Sequence, residues 1–168
     1  MASASVSAYS GGDGSAENPY RIATPNDLNE IGANPDDWDA HFVMVNDVNL
    51  ADYAGTEFNI IGYWKDWDDP ENEPFTGVFD GNGHTISNFT YTTDADGIGL
   101  FAHIDDVNSQ IKDLTLIDPN VDAGTGKNVG CLVGLLGDGM IFCCGVAGGS
   151  VTGDDNIGGL VGGNKGCT

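Results

Sequence analysis

Apolar residues in this chain come in short runs whose spacing changes along it. In "TPNDLNEIG", Leu28 and Ile31 stand three apart, which puts them on one face of a helix. Thr24 can cap, Pro25 suits the first helical position, Asp27 and Glu30 favour the positive end, and Gly32 stops the run. A helix of about two turns follows, a lid over an apolar surface. "HFVMVNDVNL" alternates instead, with Phe42, Met44 and Val48 on one face or Val43, Val45 and Leu50 on the other, and predicts strand. "FNIIGYW" predicts a further strand, and "KDWDDPENEP" after it is a polar, proline-containing loop.

From Phe75 the pattern repeats. Ile86, Phe89 and Tyr91, then Ile111, Leu114 and Leu116, then Ile141, Cys144 and Val146 share one template, stepping by 25 and then 30 residues. A glycine and two apolar residues precede each copy: Gly77-Val78-Phe79, Gly99-Leu100-Phe101, and Cys131-Leu132-Val133 with its glycine one place earlier. Val121 and Val151 follow the last two. "NVGCLVG" and "NIGGLVG" are nearly one heptapeptide written twice, 28 residues apart, so Gly130, Leu132, Val133 and Gly134 match Gly158, Leu160, Val161 and Gly162. Leu132 and Leu160 are expected to stack one strand spacing apart, ~4.8 Å. Three short apolar stretches per period predict three strands and three turns, with Asn88, Asp113 and Cys143 forming a ladder of turn residues. Periods of this size mean a solenoid or a propeller. A propeller blade needs four longer strands, and a helical solenoid is excluded by the glycine density, so a parallel β-solenoid is expected.

Composition adds two points. The chain has 168 residues, one domain's worth, and 26 of them are glycines that cluster near Val, Ile and Leu in the C-terminal half, which suits tight turns between strands. Asp and Glu number 26 against 5 Lys and Arg, a net charge of −21. So negative a surface repels nucleic acid and anionic lipid, which disfavours both as partners. It favours solubility, salt tolerance and loose attraction of divalent cations. No apolar stretch is long enough for a membrane-inserted helix, and "MASASVSAYS" lacks a signal-peptide pattern. Cys131, Cys143, Cys144 and Cys167 match no zinc spacing; they read as small buried hydrophobes first and as a bridge between neighbouring turns second.

Candidate chemistry centres on the acidic loop. Asp66, Asp68, Asp69, Glu71 and Glu73 lie beside Trp64 and Trp67. Carboxylates in a loop can hold Ca2+, with Asp66, Asp68 and Asp69 as the candidate ligands, and exposed tryptophans can stack on sugar rings. Trp64, Trp67, Asp66, Asp68, Asp69 and Glu71 are therefore the candidate binding residues, and no cofactor beyond Ca2+ is expected. Asp36, Asp37 and Asp39 around Trp38 have the same acidic-aromatic character, and Asp94 and Asp96 form a calcium-like fragment without its terminal Glu. Asp80 and His84 could form an acid–base pair, but "DGNGH" is first of all turn chemistry. His41 and His103 read as partly exposed. No catalytic motif is found, Arg21 is the only arginine, and Lys112 and Lys127 lack an acid cluster on their face, so the sequence leans away from an enzyme.

"VGCLVG" and "IGGLVGGNKG" resemble the GLUG motif, a short Gly-Leu-Val-Gly repeat of secreted bacterial surface proteins. "FTGVFDGNGHTISNFTY" looks like the first coil of many right-handed parallel β-helices, and "GGDGSAENPYRIATPNDLNEIG" is similar to the segment that leads into them. The copies depart from the motif at Cys131, which stands where the second has Gly159, and at "LLGDGM". The resemblance implies an all-β, right-handed parallel β-helix with an N-terminal helix and strand cap. Residues 1–19 would be an arm and opening turn, 20–74 the cap with its acidic loop, and 75–168 the coils. It implies an extracellular or cell-surface adhesion or stalk module without catalysis, binding a surface glycan, a protein or another copy. A polysaccharide-active, lyase-like enzyme is the first alternative, and an ice- or mineral-binding solenoid, which needs a Thr or Asp ladder, the second. The next template Ile falls due just past Thr168, so a truncated last coil is expected, with an open edge suited to end-to-end self-association.

Overall fold

The computed structural model describes residues 9–165. Strand β1 (Tyr20–Ile22) leads into helix α1 (Pro25–Ala33). The start of α1 is a reciprocal cap. Thr24 Oγ1 accepts the Asp27 N–H at 3.1 Å, and the Asp27 carboxylate accepts the Thr24 N–H at 2.9 Å. Leu28 and Ile31 are fully buried, as the lid reading requires. Gly32 does not end the helix, which continues to Ala33 with Asn34 as its C-cap. Its role is close approach: a Cβ at Gly32 would run into the Asn59 carbonyl.

The alternating segment forms β2 (His41–Met44) and β3 (Val48–Asn49), and Phe42, Met44, Val48 and Leu50 are its buried face. "FNIIGYW" does not become a strand. Ile61 and Tyr63 make single pairings, with Phe101 and Glu73, and between them Gly62 turns to φ 84°, a left-handed value that interrupts an extended run.

Three successive periods follow. The first contains β4 (Val78–Asp80), β5 (Thr85–Ser87), β6 (Thr90–Thr92) and β7 (Phe101–Ile104). The second has β8 (Gln110–Lys112), β9 (Thr115–Ile117), β10 (Asn120–Asp122), β11 (Lys127–Gly130) and β12 (Val133–Leu136). The third has β13 (Met140–Phe142), β14 (Gly145–Ala147), β15 (Ser150–Thr152), β16 (Asp155–Gly158) and β17 (Val161–Asn164). These strands form five sheets, with orders β1-β2-β4-β8-β13, β3-β5-β9-β14, β6-β10-β15, β11-β16 and β7-β12-β17. Every strand pairing within them is parallel. The protein is thus all-β in character with parallel sheets and no closed barrel.

The first period has four strands and the second and third have five, rather than the expected three, and the phase differs from the expected one. Ile86 lies opposite Leu116, and Leu116 opposite Val146, thirty residues on at each step. Ile111 belongs instead with Phe79 and Ile141. The template misplaced the first copy because seven residues separate Phe79 from Ile86, whereas five separate Ile111 from Leu116. The additional residues sit in the Asp80–His84 turn, so a spacing match landed on the wrong strand. Gly77-Val78-Phe79 and Gly99-Leu100-Phe101 are likewise not equivalent, since Phe79 is in β4 and Phe101 in β7. In the glycine repeat, Val129 faces Ile157, Gly130 faces Gly158, and Val133 faces both Phe101 and Val161. The Leu132 N–H donates to the Leu160 carbonyl at 3.1 Å.

The expected turn ladder splits in two. Asp113 and Cys143 have φ of 52° and 53°, and each follows the equivalent strand, β8 and β13. Asn88 (φ 59°) follows β5, where its counterpart is Asp118 (φ 49°) after β9. Asn128 and Asn156 form a third left-handed pair, with φ of 55° and 56°. Asn and Asp tolerate this backbone because their short side chains can bond locally; Cys143 has no such compensation.

The inward positions of the sheets meet in one core. Phe79, Ile86, Phe101, Ile111, Leu116, Val121, Val129 and Val133 are all fully buried. Phe42, Phe75, Phe101 and Phe79 touch in sequence, with centroids 6.2, 5.1 and 5.4 Å apart. Toward the third period the same positions, Ile141, Val146 and Val151, are only partly buried.

Candidate functional site

The loop that carries Trp64 and Trp67 is pinned at its base by the antiparallel pairing of Tyr63 with Glu73. Its carboxylates are largely turn builders. Asp66 accepts the Asp68 N–H at 3.0 Å, and Asp69 accepts the Glu71 N–H at 2.9 Å. Asp69 also holds Lys65 at 2.9 Å, and this contact keeps the Asp69 carboxyl below its ordinary range and the Lys65 amine above its own. The expected calcium set is not assembled in this geometry: among the described residues no group of three or more His, Cys, Asp or Glu converges on one point.

The two tryptophans part company. Trp64 is 6% exposed, while Trp67 is 56% exposed and stands edge-on to it at 5.5 Å. The Lys165 ammonium lies over the Trp67 ring, 3.5 Å from its centre, a cation–π contact that ties the loop to the last strand. Only Trp67 therefore offers a free ring face on the loop, and Lys165 occupies part of it. Trp64 is turned toward the body of the protein, and its indole N–H is buried without an acceptor among the described residues.

Trp64 lines a half-open cleft of about 670 Å³ between the loop and the first period. Its walls are Trp38, Tyr63, Trp64, Tyr91, Asp94 and Asp96. Tyr63 is 41% exposed and Tyr91 half-buried, so tyrosine faces are open to solvent there. Trp38, from the other acidic-aromatic segment, is buried and donates its Nε1–H to the Ile31 carbonyl at 2.7 Å. Asp96 accepts the Lys127 backbone N–H at 2.7 Å through one oxygen, and Asp94 is exposed. Sequence reasoning had Asp94 and Asp96 only as a calcium-like fragment. Their partner across the cleft, Tyr63, is more than thirty residues away, and Tyr91 read as a template core position; no local signal joins them.

The remaining polar candidates are separate. His84 Nδ1 lies 3.1 Å from Asp47, not from Asp80, and Asp80 pairs with Lys112 at 2.9 Å. Asp80 and His84 thus form no acid–base pair, and Lys112 does have an acid on its face, in register across β4 and β8. His103 is 5% exposed rather than partly exposed, and among the described residues neither ring nitrogen has a partner at good hydrogen-bond geometry, the Tyr63 backbone being a polar contact besides Asp105. Burial pushes its pKa down, against the opposing pull of Asp105 with its carboxylate 4.0 Å away. Cys131, Cys143 and Cys144 are free thiols; Cys131 is buried, Cys144 half-buried and Cys143 exposed. Cys167 lies outside the described residues.

No helix among the described residues is long and apolar enough to cross a membrane. No family model matches the chain, and no solved structure matches it. Two curated relatives do. Halomucin of Haloquadratum walsbyi is 34% identical over 158 residues, which is 90% of this chain and 2% of that protein. A protein of Evansella cellulosilytica, described as a Gly-rich membrane protein, is 34% identical over 136 residues, which is 78% of this chain and 15% of that protein. The chain therefore spans only a small part of the length of either relative it is similar to.

Proposed function

We propose that this chain is a non-catalytic module of a larger extracellular or cell-surface protein, a right-handed parallel β-helix of the GLUG-repeat kind that binds glycan through its lateral loops. The observation that carries the reading is the register of the sheets. Equivalent residues face one another about thirty positions apart in sheet after sheet, which is how a β-solenoid stacks its coils. Right-handedness follows from the general preference of strand–crossover–parallel strand connections, about 98% of cases. Such a rod presents side loops on a rigid frame, the arrangement in which binding residues are commonly found. The names of the two relatives, a halomucin and a membrane protein, suit a surface location, as does a net charge of −21 that keeps a long repetitive chain soluble.

The test is retention against turnover. Immobilised neutral, amino-bearing and acidic polysaccharides are offered to the purified chain, and both bound protein and newly released sugar ends are measured. Retention without release is expected. Release of sugar ends would overturn the non-catalytic reading in favour of a polysaccharide-active enzyme.

A further inference from the structure

The cleft beside the loop has a composition that specifies more than glycan in general. Its open walls are the rings of Tyr63 and Tyr91, with Trp64 packed into the side. Flat aromatic faces of this kind suit the apolar face of a sugar ring. The charges are one-sided. Among the described residues no cationic side chain pairs with Asp94 or Asp96, and the one cation in the lining, Lys65, is already held by Asp69. The cleft thus has two uncompensated carboxylates within a protein that is strongly negative overall. An anionic sugar would be repelled from it, and a cationic one drawn in.

Size and coordination exclude the simpler cations. A half-open space of about 670 Å³ is on the scale of clefts that hold drug-sized molecules, far larger than one ion needs. Two carboxylates without a third ligand make a poor metal cage, and no three-ligand group exists among the described residues.

We propose that this cleft binds an amino-sugar segment of a glycan, with the protonated amines at Asp94 and Asp96 and the ring faces against Tyr63 and Tyr91. The inference rests on the glycan-binding reading above and adds the charge of the sugar. Each of the two ammonium–carboxylate contacts at the exposed rim is weak. Together they amount to about a tenfold preference for the amine over its acetylated form.

Trp38 and Trp64 line the cleft, so their fluorescence reports occupancy. The chain is titrated at mildly acidic pH with a glucosamine oligosaccharide, its fully N-acetylated counterpart and spermine. The expected result is that the glucosamine oligomer binds about tenfold more tightly than the acetylated one and than spermine. Replacing both carboxylates, Asp94→Asn with Asp96→Asn, should erase that preference while leaving the urea midpoint unchanged. Tyr91→Phe should leave both sugars bound, whereas Tyr63→Ala should weaken both. Equal binding of the two oligosaccharides would overturn the amino-sugar assignment and leave the glycan-binding reading intact. Spermine binding as well as the glucosamine oligomer would reduce the effect to general acidity and overturn it. Failure of every sugar here and in the retention experiment would sink both readings.

Discussion

Leu116→Ala is the sharpest test of how the periods stack. Leu116 is fully buried at the centre of its sheet, with Ile86 on one side and Val146 on the other. The substitution deletes three carbons that water cannot reach. At about 0.8 kcal/mol per buried methylene, the transfer term is about 2.4 kcal/mol. The enclosed site cannot collapse freely because backbone ladders hold it on both sides, so a cavity term raises the total to about 3–4 kcal/mol. Val146→Ala deletes two carbons at the same position one period later. Val146 is only partly buried and has a strand neighbour on one side among the described residues, so about 1 kcal/mol is expected. Urea unfolding followed by circular dichroism measures both, provided the transition slope stays constant. A double-mutant cycle with Ile86→Val adds the register. Coupling of about 0.5 kcal/mol or more is expected between Ile86 and Leu116, which are in contact across parallel strands. Equal losses at Leu116 and Val146, or an absence of coupling, would refute the thirty-residue stacking.

Three further outcomes follow from individual side chains. His103 has its folded pKa lowered by burial, so the unfolded chain binds more protons just below the ordinary histidine value of about 6.5. Its contribution to stability is present above that value and is lost as pH falls through it. Urea midpoints between neutral and mildly acidic pH should therefore drop, and the His103→Leu variant should show a shallower slope; an unchanged slope would show that other groups set the acid limit. Cys143→Gly relieves a left-handed residue whose thiol is exposed, and it should stabilise by about 0.5–1 kcal/mol after glycine's larger unfolded-state entropy is subtracted. Thiol titration of the folded protein should modify Cys143 first. Cys131 should react only on unfolding, because burial excludes the reagent and pushes its pKa up to about 11. Rapid labelling of Cys131, located by peptide mass analysis, would contradict its packing.

Much of the fold was readable wherever the signal was local. Thr24, Pro25 and Asp27 determine the start of α1 because capping involves residues within one turn. The burial of Phe42, Met44 and Val48 follows from alternation over a single short segment, whereas Leu50, expected on the face of Val43 and Val45, is buried with the first set just beyond the end of β3. The glycine heptapeptides were matched in the right register because both copies keep the same length between equivalent strands. The phase of the first period was misread for the opposite reason. The Asp80–His84 turn is longer than its later counterparts, and hydrophobic spacing alone cannot separate a longer turn from a shifted strand. At the candidate site, sequence could place aromatic and acidic residues together in one loop but could not say which way each faced. Trp64 and Trp67 stand three positions apart in one loop, and one is buried while the other is exposed.

Sequence by itself thus determined the chemistry available and the way the chain repeats: short parallel-compatible strands, left-handed turn residues, and a surface dominated by carboxylates. These are properties of neighbouring residues and of totals, and they hold whatever the chain's path. Tertiary structure alone decided which residues share a wall. Tyr63 and Tyr91 meet Asp94 and Asp96 because parallel stacking brings distant segments into lateral contact at each step. The same stacking buries His103 beneath its neighbours. A linear pattern contains neither fact, since both depend on what lies one period away and outside the sheet.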